Sequence, residues 1–214
     1  MNELLQKYQT PLLTHLRWRF GAAAEQAEDW FQSFVEKKVL EKHLLASARR
    51  ERGRFRTFLL NALDNFVADE LRREHRALRR PPGGFVPGDG RVEGLPAVPA
   101  TLADPSDVAW ARAVLAQAMT RLREYYAAKG RPELWQVFHE GFARPILDEV
   151  EPPGMAELAQ RFGFPSARHA SNRLLTAKQQ FKRCMELVVG EYMEGAQAIE
   201  AELRDLMASL AGSG

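Results

Sequence analysis

The sequence predicts an all-α fold of two small helical domains joined by a linker. Apolar residues recur at three- and four-residue spacing along most of the 214 residues, which is the period of one buried helix face. One stretch, 81–107, has no such period and is rich in Pro and Gly, so it cannot repay its ordering entropy with a core. No segment alternates as a strand does. These observations predict domains at 1–80 and 108–190, a flexible linker at 81–107 and a separate acidic helix at 191–214.

The first domain is predicted to contain three helices. The first covers 4–20, with Pro11 as a kink or break and Gly21 as its end. The second, 28–42, is amphipathic, and its Trp30 and Phe34 are expected in the core. The third covers 51–80 and joins an apolar stripe to an arginine-rich end.

The second domain is predicted to begin with a long helix, 107–129, that has Ser106 or Asp107 as its N-cap and ends at Gly130. A shorter helix follows at 132–142, because proline suits a first helical turn. Two further helices joined by a tight turn at 163–166 complete this domain, and 195–210 is predicted to form the final helix.

Composition excludes several classes of protein. The hydrophobic fraction of 45% and charged fraction of 27% are ordinary for globular proteins. No run approaches the roughly 18 apolar residues of a membrane span, and the first residues lack the layout of a secretory signal. The lone Cys184 cannot form an internal disulfide, and no Cys/His spacing indicates zinc. We therefore expect a cytoplasmic protein with no membrane association, metal or cofactor. No catalytic set emerges either, so neither an enzyme nor a small-molecule substrate is expected.

Charge is distributed unevenly behind a net charge of only +2. Residues 49–80 contain ten Arg against five acidic residues, and 158–185 contain six Lys or Arg and no acidic residue. Residues 186–214 contain six acidic residues against one Arg. Two separated basic helices indicate a long anionic partner, because a local patch and not the total charge meets a phosphate backbone.

The stretch 158–164 has the layout of a helix-turn-helix, in which Gly163 permits a left-handed turn. The helix after it presents polar and basic residues of the kind that a major groove accepts. An αα-hairpin with a solvated basic face is the alternative. In the first domain, Phe55 between Arg54 and Arg56 suits single-stranded nucleic acid, because bases stack on rings while Arg holds phosphates. Phe55 is equally open to a core position.

Three motifs in order resemble the extracytoplasmic-function group of bacterial RNA polymerase sigma factors across most of the chain. They are AEDWFQSFV at 27–35, RGRFRTFLLNALDNFVADELRREHR at 52–76, and ELAQRFG followed by NRLLTAK within 157–178. Some positions depart from the family pattern. Gln26 and Ser33 stand where acidic residues are common, and Thr176 stands where the family often has Arg.

The resemblance implies a promoter-specificity factor that binds core RNA polymerase and promoter DNA and promotes transcription initiation. The implied polymerase contact is Glu28, Asp29 and Gln32, for which a solvated acidic face is the alternative. The implied −10 contacts are Arg54, Phe55, Arg56, Asn65, Arg72, Arg73, Arg76 and Arg80. The implied −35 contacts are Arg168, His169, Ser171, Asn172, Arg173, Lys178 and Lys182.

Two other functions stay open from the residues. One is a DNA-binding regulator of sigma-like fold that does not productively engage polymerase, and the other is a purely structural helical protein. Control by an anti-sigma factor is compatible with the sequence. A protein kinase acting on Ser33 or Thr57 would supply the charge missing from the polymerase-binding motif. The acidic C-terminal helix is also a candidate to cover the basic helix-turn-helix.

Overall fold

The computed structural model describes residues 2–40, 55–78 and 104–212. These residues form helices and no strand, which confirms the all-α prediction for the described part of the chain. None of the helices there is long and apolar enough to cross a membrane. The helices are α1 (Asn2–Lys7), α2 (Gln9–Phe20), α3 (Ala24–Phe34), α4 (Phe55–Leu78), α5 (Pro105–Ala128), α6 (Pro132–Phe138), α7 (Arg144–Leu147), α8 (Met155–Arg161), α9 (Ala167–Val189) and α10 (Ala196–Ala211), with π-helical turns at Val35–Leu40 and His139–Ala143.

The chain divides into two compact units. Unit 1 combines Met1–Ala113 with Tyr192–Gly214, and unit 2 is Val114–Glu191. Unit 2 thus begins later than the expected second domain, 108–190, because the first turns of α5 belong to unit 1. Residues 192–214, expected within a separate helical segment at 191–214, are grouped with unit 1. Most of the expected linker lies outside the described residues, but its last four residues supply the N-cap, Asp104, and the first three residues of α5.

Unit 1 is built around the packing of α2, α3 and α4 on one another. The apolar stripe of α2 is buried at Leu12 and Leu16, as its spacing predicts. The Phe34 ring meets the edge of Phe66 with ring centroids 5.7 Å apart, and Trp30 is buried as well. The predicted core role of Trp30 and Phe34 is thereby confirmed.

The first predicted helix, 4–20, is interrupted at a different residue from the one predicted but ends where predicted. The helix is interrupted at Tyr8 and not at Pro11, which is the third residue of α2. A proline is tolerated there because the first four N–H groups of a helix have no intrahelical partner. Gly21 ends α2 in the left-handed conformation, with φ of 64°, as expected.

Helix α5 starts earlier than predicted, and a different side chain caps it. The Asp104 carboxylate accepts the backbone N–H of Ser106 at 2.8 Å, and the Asp104 carbonyl accepts the N–H of Asp107 at 3.0 Å. Asp104 is therefore the N-cap and Pro105 the first helical residue, which is the usual place for proline. The prediction of Ser106 or Asp107 as the cap is wrong. Gly130 follows the helix with φ of 66°, as predicted.

In unit 2, α9 packs against α6 and α8. The Phe138 and Phe181 rings lie 4.8 Å apart between centroids. The π-helical turn after α6 brings the backbone of Gly141 close to the core. A Cβ atom there would lie 2.9 Å from Leu158 Cδ1 and 3.3 Å from Leu174 Cδ2, so only glycine fits without movement of these side chains.

Candidate nucleic-acid interface

Helices α8 and α9, where the helix-turn-helix is predicted, pack around a small apolar core. Leu158, Ala159 and Ala170 are buried, with Phe162 and Phe164 packed on them. Two of the three central residues are alanines, and small side chains let the helices approach closely. These contacts fit both the predicted helix-turn-helix and the alternative αα-hairpin.

The turn between the two helices is a Schellman motif. Gly163 has φ of 70°, and the Phe164 N–H donates to the Ala159 carbonyl at 2.8 Å. This six-to-one bond satisfies a carbonyl at the end of α8 while the left-handed glycine reverses the chain. The ring of Phe164 packs against the same core. The turn direction is thus set by backbone bonds and an apolar contact together.

Ser166 caps α9 and engages one of the predicted base-reading residues. Its Oγ accepts the backbone N–H of His169 at 3.4 Å and lies 3.0 Å from His169 Nδ1. His169 is exposed, and its Nδ1 is engaged by the capping hydroxyl. His169 therefore supports the cap, and Nε2 is the ring nitrogen left for an outside partner.

The outward face of α9 is polar and basic. Arg168, Ser171 and Asn172 are exposed, and Arg173 is half-buried. Five Lys or Arg residues and no acidic residue occur between the helix start and Met185. Arg168 and Asn172 lie one helical turn apart and share a side of the helix, as a groove-facing pair requires.

The two predicted lysines of α9 differ in their surroundings. Lys178 Nζ lies 4.1 Å from the centroid of the Phe142 ring, a cation–π contact that also holds its stem against the protein. Lys182 is exposed and lies 3.8 Å from Glu186, which is a weak surface pair. Of the two, Lys182 is the more available for a phosphate.

Unit 1 carries a second basic surface on α4. Asn65 and Arg76 are exposed, and both lie on the same side of α4 as Arg72. Arg72 pairs with Asp69 at 2.7 Å, and Arg73 with Glu70 at 2.9 Å. These i,i+3 pairs are exposed enough to exchange for phosphate contacts at little cost. Two further predicted contacts, Arg54 and Arg80, lie outside the described residues.

The structure does not support nucleic-acid contacts by Phe55 and Arg56 in this conformation. Phe55 is buried, and its ring faces Tyr192 at 5.3 Å between centroids. The Arg56 side chain is 13% exposed and lies between Asp107 and Glu202. Because ring and guanidinium are both enclosed within unit 1, neither can reach a base or phosphate without movement of the groups around it.

The predicted polymerase-binding face lies on α3. Glu28, Asp29 and Gln32 are exposed, and helical spacing puts them on one side of this helix. The opposite side is buried at Ala27 and Trp30. The three predicted residues are therefore brought together, as a shared contact surface would require.

Sequence reasoning missed a buried charged triad in unit 1. The His15 ring is only 5% exposed and lies between two carboxylates, Asp64 Oδ1 at 2.7 Å from Nε2 and Asp104 Oδ2 at 3.0 Å from Nδ1. Burial alone would lower the pKa of His15, but hydrogen bonds to Asp104 and Asp64 raise it to about 9. The ring is therefore cationic at neutral pH and ties α2, α4 and the start of α5 together.

Among the described residues, no group of three or more His, Cys, Asp or Glu is arranged so that it could hold a metal ion. Cys184 is buried, and burial raises the pKa of its thiol, which disfavours the reactive thiolate.

Comparison of the chain with protein-family models, with curated proteins and with solved structures found no match.

Proposed function

We propose that this chain is a promoter-specificity factor, which recruits core RNA polymerase through unit 1 and binds promoter DNA through the helix-turn-helix of unit 2. The observation that carries the proposal is the exposed cationic face of α9, presented after a Schellman turn. A helix of this kind fits a major groove, where Arg reads guanine and Asn reads adenine by paired hydrogen bonds. It acts by recognition, and the chemistry of transcription belongs to the polymerase.

Unit 1 supplies two further supports. The exposed acidic face of α3 suits a basic partner surface, because complementary charges speed encounter and set orientation. The cations of α4 follow one another along a single helix, as contacts to successive phosphates require. Neither surface alone indicates a sigma factor. Their order along the chain together with the helix-turn-helix favours one.

The test is retention of bacterial core RNA polymerase by the immobilised protein. Wild type should retain the enzyme, and a Glu28→Ala/Asp29→Ala variant should lose most of it. A Glu194→Ala/Glu200→Ala variant is the matched control, because it removes the same charge from exposed positions of unit 1 and should behave as wild type. If wild type retains no polymerase, or if both double variants bind equally well, the proposed contact is refuted.

A second function is favoured by one specific observation. Phe55 and Arg56, which a factor that opens promoter DNA would use, are enclosed in unit 1. A DNA-binding regulator of sigma-like fold that does not productively engage polymerase needs only the exposed face of α9. It predicts salt-sensitive binding of duplex DNA without retention of core polymerase.

A further inference from the structure

The start of α4 carries an arginine held by carboxylates from two other segments of unit 1. Arg56 Nη1 lies 3.0 Å from Asp107 Oδ1, and Arg56 Nε lies 3.6 Å from Glu202 Oε1 of α10. Glu202 is only 7% exposed and lies on the buried side of α10 with Leu203 and Leu206. A guanidinium presents donors in a fork that fits carboxylate and phosphate alike. The two carboxylates therefore take the place that phosphate oxygens could occupy.

Aromatic rings line the same place. Tyr192, just before α10, faces Phe55 and accepts a hydrogen bond from Trp110 Nε1 at 3.4 Å. The Tyr192 hydroxyl lies near the Glu202 carboxylate and favours its ionised form. Stacking on rings and pairing with Arg are the two contacts by which proteins hold single-stranded nucleic acid. Here the chain's own C-terminal segment makes both of them.

Charge decides what can occupy this place. Asp107 and Glu202 pair with Arg56, and Asp205 lies near both of these carboxylates, so three negative charges cluster there and repel a nucleic acid. Departure of α10 would remove two of the three. A buried ion pair contributes little net stability, because desolvation of both charges offsets most of their attraction. Burial also raises the pKa of Glu202 in spite of the nearby Arg56, which shows that this desolvation is substantial.

We propose that α10, together with Tyr192, is an internal competitor for a single-stranded DNA site formed by Phe55 and Arg56 at the start of α4. Single-stranded DNA binds there only when α10 leaves. This inference rests on the proposed function, because a factor that opens promoter DNA must hold an unpaired strand. It concerns a contact inside unit 1, where the buried carboxylate of α10 lies on Arg56; the expectation that the acidic helix covers the basic α9 stays a separate prediction.

The experiment measures binding of a fluorescein-labelled single strand, and of the duplex of the same sequence, by fluorescence anisotropy at one salt concentration. Glu202→Lys places a like charge beside Arg56 and should release α10. Glu200→Lys is the matched control, because it makes the same charge change on an exposed residue of the same helix. We expect Glu202→Lys to bind the single strand roughly tenfold more tightly than Glu200→Lys, with equal duplex affinity. Adding Arg56→Ala to Glu202→Lys should abolish the gain in single-strand affinity.

Glu202→Gln in the full-length chain provides a second test that introduces no lysine. It removes the charge that pairs with Arg56, and it should also bind the single strand more tightly than Glu200→Gln. Equal single-strand affinity for Glu202→Lys and Glu200→Lys, with no gain for Glu202→Gln over Glu200→Gln, would overturn the inference while duplex binding still supported the proposed function. Failure of every variant to bind either probe would overturn both.

Discussion

The stability of unit 1 should fall as the pH rises from 6.5 to beyond 9, because His15 loses its proton. The pKa of this buried ring is raised from 6.5 to about 9 by hydrogen bonds to Asp104 and Asp64, which outweigh the opposing effect of burial. A difference of one in pKa between the folded and unfolded states corresponds to about 1.36 kcal/mol, so the protonated ring contributes about 3 kcal/mol. That is a large part of the total stability of a typical domain, which is roughly 5–15 kcal/mol.

The direction of the effect follows from proton linkage. A folded-state pKa above the unfolded value means that the folded state binds the proton more tightly. The contribution is complete below about pH 6.5 and disappears as the pH rises through about 9. The contribution of Asp104 to stability has the opposite pH dependence. Burial opposes ionisation of its carboxyl, but hydrogen bonds from His15 and Ser106 lower its pKa. Its contribution is therefore present above the ordinary value of 3.8 and is lost in acid.

Urea unfolding at a series of pH values, followed by tryptophan fluorescence, measures this contribution. A Trp135→Phe background removes the tryptophan of unit 2 and leaves Trp18, Trp30 and Trp110 to report on unit 1. In His15→Gln the free energy of unfolding should change little between pH 6.5 and 9. In the unsubstituted protein, NMR titration should give a pKa of about 9 for the His15 ring. An equally steep decline in His15→Gln, or an imidazole that titrates near 6.5 in the folded protein, would refute the reasoning.

Two predictions concern unit 2. Gly141→Ala should lower the free energy of unfolding of unit 2 by about 1–3 kcal/mol through overpacking, because the new Cβ would lie 2.9 Å from Leu158 Cδ1. Thermal melts measure this effect, and Gly154→Ala is the control because its new Cβ meets nothing within 4 Å. Arg168→Ala should weaken duplex DNA binding, and if Arg168 contacts a phosphate it should also reduce the slope of log affinity against log salt by about one. Arg144→Ala removes an exposed arginine paired with Glu140 and Asp148 and should change neither the affinity nor the slope. Equal melts for the two glycine variants, or equal salt slopes for the two arginine variants, would contradict these expectations.

Helix periodicity and turn chemistry were sufficient to predict most of the described fold. The apolar stripe of α2, the core position of Phe34 and the left-handed turn at Gly163 all follow from spacing or from a single residue type. The predicted helix ends were less accurate where a side chain outside the expected helix forms the cap. Asp104 caps α5 from a stretch whose composition is that of a linker, because capping depends on a hydrogen bond and not on composition.

The surroundings of some candidate-site residues were predicted correctly and those of others were not, for a related reason. Exposed residues such as Arg168, Asn172 and Glu28 lie where helical spacing puts them, since a solvent-facing position depends mainly on its own helix. Phe55 and Arg56 could not be assigned in this way. Their surroundings come from Trp110, Tyr192 and Glu202, which are more than fifty residues away along the chain.

The sequence by itself determined the helical class, the two basic surfaces and the left-handed turn at Gly163 between α8 and α9, because all of these depend on residues within one or two helical turns of each other. Only the tertiary structure decided that a buried histidine carries a charge between Asp64 and Asp104. It also decided that the acidic C-terminal helix lies on Arg56 within unit 1. Both are pairings between distant segments, where burial and the exact neighbour set the energy of a charge, and no local pattern in the sequence encodes which partners will meet.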